Sequence, residues 1–225
     1  MSLRSFLTAS TRGMAPERKT PFYSAVAALL LIAGLSAALL LLPEKVSLPA
    51  YRAAFASLEA YRTAHPEENP HYLAVVDYSK PSYLKRMTLI ELKTGEQSFY
   101  RVAHGKKSGE LYAERFSDIP ESNMSSPGLY RVLDAYSGDH GKAMRLEGLD
   151  STSNSNAFSR DIVLHSADYV SPGYILLNLA TLNGPRIGRS NGCFVVSTRD
   201  IDEITKKLSR GAFLFAWVKP QPFKP

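Results

Sequence analysis

Cys193 is the only cysteine of the 225-residue chain, and it lies in Gly188-Arg189-Ser190-Asn191-Gly192-Cys193-Phe194-Val195-Val196, a small-residue turn running into an apolar strand. An earlier apolar run, Asp161-Ile162-Val163-Leu164, ends in His165. A thiolate on a tight turn with an imidazole alongside is a centre for acyl transfer. A free thiol is only a few per cent ionised at neutral pH, so the imidazole would act as base or as imidazolium partner. His165 precedes Cys193 by 28 positions, the reverse of the papain-like order, which suits two neighbouring strands joined by a long loop. One cysteine with scattered histidines does not supply the clustered ligands of a zinc site. The competing reading of a lone cysteine is a small buried hydrophobe; the glycine turn and the histidine favour chemistry.

The elements that would position this pair read mainly as β. Strands are expected at 72–78, 87–92, 98–103, 128–133, 143–146, 161–164, 194–197 and 212–218, with a hairpin turn at Lys93-Thr94-Gly95-Glu96. Two helices accompany them. Tyr51, Ala54, Phe55, Leu58 and Tyr61 recur at helical spacing until two prolines, Pro66 and Pro70, break the pattern. This helix is a packing or spacer element. Asp200–Leu208 turns Ile201, Ile204 and Leu208 inward, with Thr198 as its expected cap. Residues 105–156 are rich in Gly, Ser, Asn and Asp, the composition of a long functional or mobile connection.

From Phe22 to Leu42 the chain runs 21 residues without a charge, enough for a helix of roughly 30 Å, the thickness of a bilayer core. Arg4, Arg12, Arg18 and Lys19 against Glu17 give the preceding segment a net charge of +3, so the positive-inside rule keeps the N-terminus in the cytoplasm. The run is longer than the apolar region of a signal peptide. The expected organisation is a basic cytoplasmic tail at 1–21, a transmembrane anchor at 22–42, a linker and amphipathic helix at 43–69, and an exported domain at 70–225. Half of the net charge of +6 then belongs to the tail. The exported domain has no basic cluster interleaved with aromatics, so no nucleic-acid partner is expected.

Several blocks, in order over about residues 70–218, resemble the murein L,D-transpeptidase catalytic domain, in a variant with a Gly-Arg-Ser-x-Gly-Cys signature. They include Val75-Val76-Asp77-Tyr78-Ser79-Lys80-Pro81-Ser82, Val102-Ala103-His104-Gly105, Ser125-Ser126-Pro127-Gly128, Gly138-Asp139-His140-Gly141, Leu146-Glu147-Gly148-Leu149, Ile162-Val163-Leu164-His165 and Arg189-Ser190-Asn191-Gly192-Cys193. The resemblance implies a mainly β fold, an L,D-transpeptidase-like sandwich or barrel with one or two short helices, here preceded by the single transmembrane helix. It implies a membrane-anchored enzyme facing the periplasm from the inner membrane, with peptidoglycan stem peptides as substrate and no cofactor or metal. Cys193 would attack the carbonyl between a diamino acid and the terminal D-alanine. His165 would protonate the departing D-alanine, and the product would be a 3→3 cross-link.

The resemblance also assigns secondary roles. Backbone N–H groups around Asn191, Gly192 and Cys193 are expected to hold the oxyanion, and Ser190 to orient either His165 or the turn. Asn191 stands where the commoner signature has histidine, which leaves acid–base work to His165. Arg189 or Arg186 would bind a carboxylate, with an internal ion pair as the alternative. His104 and His140 would line the substrate groove or serve as structural histidines. Tyr169 and Tyr174 would form a lid wall or pack. With water as acceptor the same pair would make an L,D-carboxypeptidase; with an envelope protein, an attaching or detaching enzyme. A catalytically silent peptidoglycan-binding module is the alternative from another class.

Overall fold

The computed structural model describes residues 20–41, 45–138 and 141–220. The chain separates into two compact units, residues 1–38 and 39–225. Helix α1 spans Thr20–Leu41, within which side chains are described for 23–34. Among the described residues no helix is long and apolar enough to cross a membrane. The remainder of the expected 22–42 span, and the basic tail, lie outside the described side chains.

All eight expected strands form: β1 (Tyr72–Asp77), β2 (Met87–Glu91), β3 (Gln97–Tyr100), β4 (Gly128–Gly138), β5 (Gly141–Gly148), β6 (Val163–Ser166), β7 (Phe194–Val196) and β8 (Ala212–Trp217). They join one sheet in the order β3-β2-β1-β8-β4-β5-β6-β7. Just past β3, Ala103 bridges Val195 of β7 and Gly105 bridges Ser190. The two ends of the strand order therefore meet, and the sheet is barrel-like. Every residue of β1 is buried. Tyr72, Ala74 and Val76 join the inner cluster with Tyr130, Met144, Leu164 and Phe194, while Leu73 and Val75 face a second layer.

That second layer is α2 (Leu48–Ala64), whose Ala50, Ala54 and Leu58 fall every fourth residue on one buried face. Its start is tied to the sheet, because the Ser47 N–H donates to the Asp77 carboxylate at 2.8 Å. The helix is thus a packed layer of the domain. Helix α4 (Ile201–Leu208) buries Ile201, Ile204 and Leu208 as the spacing requires. Its N-cap is Asp200, without a side-chain cap bond; Thr198 instead donates to Asp168 at 3.2 Å. Sequence reading allowed one or two helices beside the anchor, whereas three form. The additional one is α3 (Pro172–Ala180), capped by Ser171 and lying between His165 and Cys193.

Candidate active site

Parallel pairing of β6 with β7 places His165 opposite Val195, two residues beyond Cys193. Antiparallel pairing sets Ala143 opposite His165 and Tyr136 opposite Ala143. Since residues i and i+2 share a face of a strand, Tyr136, Ala143, His165 and Cys193 occupy one face of the sheet. A bulge between Val132 and Ala135 shifts the β4–β5 register, and such bulges re-aim side chains beside sites. These residues line a cavity of about 400 Å³ together with Arg160, Asp161 and Asn191. The adjacent-strand arrangement expected from the residue order is observed, but the connection carries helix α3 where a long loop was expected.

The turn before Cys193 is held from inside. The buried Ser190 hydroxyl donates to the Cys193 carbonyl at 2.7 Å and accepts the Gly192 N–H at 3.1 Å. Of the two roles open to Ser190, the contacts are those of a turn clasp. They also commit the Gly192 N–H, one of the expected oxyanion donors, to the clasp. Gly192 has φ +129°, and a Cβ there would lie 2.8 Å from the Met124 carbonyl oxygen and 3.3 Å from an Arg160 nitrogen. Only glycine accommodates both the conformation and the approach. Asn191 is exposed on the cavity rim.

Arg160 is the buried cation of this site, its side chain only 4 % exposed. Nη1 donates to the Ser117 carbonyl (2.9 Å), the Asp118 carboxylate (3.1 Å) and the Ser126 hydroxyl (2.8 Å). Nη2 donates to the Ser122 hydroxyl (3.1 Å) and the Met124 carbonyl (2.8 Å). One guanidinium thereby stitches the 117–126 loop under the cysteine turn. A lone arginine in a polar loop reads as solvated in sequence, and nothing in its neighbours signalled otherwise.

Burial pushes the Cys193 thiol above its ordinary value, because desolvation penalises the thiolate. The backbone N–H groups of Val163 and Cys193 and the Arg160 charge act in the opposite direction, and Asp161 adds to the rise. The sulfur also lies 3.6 Å from the Asp161 carbonyl. A thiol held protonated requires a base in the site. His165 is 5 % exposed, and its Nδ1 lies 3.1 Å from the Ser166 carbonyl. A carbonyl only accepts, so Nδ1 carries the proton and Nε2 is the basic nitrogen. His165 is oriented by the backbone of its own strand.

The other expected residues are held elsewhere. Arg189 pairs with Glu110 and donates to the Lys106 and Gly109 carbonyls at 3.2 Å; Arg186 pairs with the same Glu110. Neither lines the cysteine cavity, and the internal ion pair is the arrangement found. His104 is fully buried, its Nδ1 accepting from Arg86 at 2.7 Å and its Nε2 donating to the Gly109 carbonyl at 3.1 Å. Burial and the Arg86 charge lower its pKa to about 3, so it is neutral and structural. The Ser190 N–H donates to the His104 carbonyl at 3.0 Å, so this histidine supports the cysteine turn from behind. His140 lies outside the described residues. Tyr169 and Tyr174 meet edge to face at 6.4 Å, and Tyr169, packed against Gly188, is close enough to Cys193 to feel its charge. Among the described residues no group of three or more His, Cys, Asp or Glu could hold a metal ion.

Residues 43–217 match the family model of the L,D-transpeptidase catalytic domain. Among solved structures, an L,D-transpeptidase from Mycobacterium smegmatis is 14 % identical, with a TM-score of 0.39 over 66 % of this chain and 59 % of that one. An L,D-transpeptidase from Xylanimonas cellulosilytica is 12 % identical, with a TM-score of 0.35 over 71 % and 68 %. A variant of the helical cell shape determining protein Pgp2 from Campylobacter jejuni is 11 % identical, with a TM-score of 0.40 over 72 % and 55 %. The chain thus spans about 59 % of the length of the mycobacterial structure, and likenesses this distant do not constrain the site. No match was found among curated protein sequences.

Proposed function

We propose a function on the premise that this chain belongs to the L,D-transpeptidase catalytic domain family, as the match over residues 43–217 establishes. The chain is a cysteine L,D-transpeptidase that forms 3→3 cross-links between peptidoglycan stem peptides. The observation carrying this reading is that Cys193 and His165 line one cavity from adjacent parallel strands. His165 Nε2 takes the thiol proton as the sulfur attacks the carbonyl of the stem's third residue. The C–N bond to D-alanine then breaks, and the imidazolium returns the proton to the leaving amine. The acceptor amine repeats the sequence in reverse, releasing the thiol and forming the new amide. The Cys193 and Val163 N–H groups, which favour the thiolate, would hold the developing oxyanion.

The charge-free run at 22–42 and its basic flank support a membrane anchor with the catalytic domain on the periplasmic side. The test uses the full chain in detergent, beside Cys193→Ala, incubated with disaccharide-tetrapeptide and followed by mass spectrometry. A 3→3 dimer with loss of D-alanine, absent from the variant, is expected. Loss of D-alanine without dimer would replace this reading by a carboxypeptidase or a protein-attaching enzyme. No turnover and no adduct on Cys193, from folded protein, would overturn the enzymatic reading.

A further inference from the structure

A second cavity, of about 420 Å³, is lined by Lys85, Arg101, Arg199, Asp200 and Glu203. It shares no lining residue with the cysteine cavity. Cys193 precedes β7 and Ser197, which lines this groove, follows it. Four residues of extended chain separate the two positions by about 13 Å, so the groove is not part of the reacting centre.

Its charges divide into two kinds. Glu203 is committed within the fold, accepting from the Tyr100 hydroxyl at 2.9 Å and from Lys207 at 2.7 Å. Arg101 is anchored through Nε to the Tyr83 carbonyl at 2.7 Å. Asp200, half-buried at the start of α4, makes no cap bond with its carboxylate. Lys85, Arg199 and Arg101 all lie close enough to act on it electrostatically. Among the described residues neither Lys85 nor Arg199 closes on Asp200 in an ion pair. Cations and a carboxylate thus line one open groove without closing on one another in an ion pair.

We propose that this groove is a binding site for a zwitterion, an ammonium and a carboxylate on one carbon, as at the free end of an amino acid. Asp200 takes the ammonium, and Lys85 and Arg199 take the carboxylate, Arg199 with its planar fork. A plain anion would leave the desolvated Asp200 facing it, and a plain cation would face Lys85 and Arg199. The volume exceeds that of one free amino acid, so the remainder of a peptide chain fits as well. Resting on the transpeptidase reading, the same chemistry has two sources: D-alanine released at Cys193, and diamino-acid side chains of stem peptides along the polymer. In the second case the groove holds the enzyme on its substrate away from the reacting stem.

The test titrates full-chain Cys193→Ala protein in detergent with meso-diaminopimelate, with pimelate, which lacks both amines, and with cadaverine, which lacks both carboxylates. Saturable binding of diaminopimelate at least tenfold tighter than either analogue is expected. Asp200→Asn and Arg199→Gln should each erase that preference; thermal unfolding checks that both variants fold. Equal affinity for pimelate, or no saturation by any probe, would overturn the proposal. Affinity for D-alanine matching that for diaminopimelate assigns the free amino acid, whereas retention on isolated sacculi that depends on Asp200 assigns the polymer. Because the protein tested lacks the thiol, the outcome is independent of whether cross-linking activity is found.

Discussion

Replacing Arg160 by glutamine separates two jobs that this side chain performs at once. The guanidinium is 4 % exposed and its Asp118 partner 13 %, so removing it takes the counter-charge from a carboxylate that keeps only the neutral Asn156, Ser126 and Ser155 donors, and takes a donor from the Ser117 and Met124 carbonyls. Breaking a buried pair by removing one partner costs about 3–5 kcal/mol, and glutamine, reaching one of those acceptors, recovers part of this. The second effect is on Cys193, whose thiolate Arg160 stabilises. An opposite charge nearby favours the thiolate, so its loss raises the thiol pKa further. The assay is the pH dependence of Cys193 alkylation by the uncharged reagent iodoacetamide, run beside urea unfolding. The parental midpoint should lie above the ordinary thiol value, and Arg160→Gln should move it higher still. Arg160→Lys, which keeps charge but loses the fork, should unfold at lower urea yet hold the midpoint near the parental one. Superposable alkylation profiles for the parent and Arg160→Gln would refute the electrostatic role and leave only the structural one.

Three further outcomes follow from the same geometry. Gly192→Ala should destabilise by about 1–3 kcal/mol and slow Cys193 alkylation, because a Cβ would meet the Met124 carbonyl oxygen at 2.8 Å; an unchanged urea midpoint would contradict it. Ser190→Ala leaves the buried Gly192 N–H without its acceptor, a cost of about 1–3 kcal/mol readable in chemical unfolding. His104 has its pKa lowered to about 3, whereas in the unfolded chain it protonates near 6.5. The unfolded state therefore binds the extra proton between these values. The stability His104 confers is fully present above pH 6.5 and is lost on acidification toward 3, by up to about 1.4 kcal/mol per pH unit. His104→Gln, which keeps an acceptor for Arg86, should flatten that part of the urea-midpoint profile.

The strands were legible because their signal is local. In β1, alternate residues serve two different clusters, so the run is apolar throughout, and Pro, Gly and Asn mark where such runs stop. The insertion of β8 between β1 and β4 was not legible, since no local pattern encodes which strands pair. Helix α3 escaped for a different reason. Only Ile175 of its nine residues is buried, while Leu176 and Leu177 are 46 % and 57 % exposed, so there is no apolar stripe to read. Its signal was the Ser171-Pro172 start, a favoured N-cap and first-turn pair.

At the site, residue types singled out Cys193 and His165, which line one cavity, but pointed to Arg189 for the positive charge. Arg189 stands four residues before the cysteine, yet the β-bridge at Ser190 hands the preceding chain to Glu110 and the 106–109 turn. Arg160 is 33 positions away in sequence and is the cation that reaches the thiol. That exchange changes the chemical argument. A mobile, solvated arginine could follow a substrate carboxylate, whereas a buried one with five donated hydrogen bonds supplies a fixed field. Burial raises the thiol pKa and the fixed charge partly offsets it, so the sulfur rests as the neutral thiol. The proton leaves sulfur only where a base in the site accepts it, the position His165 holds in the same cavity.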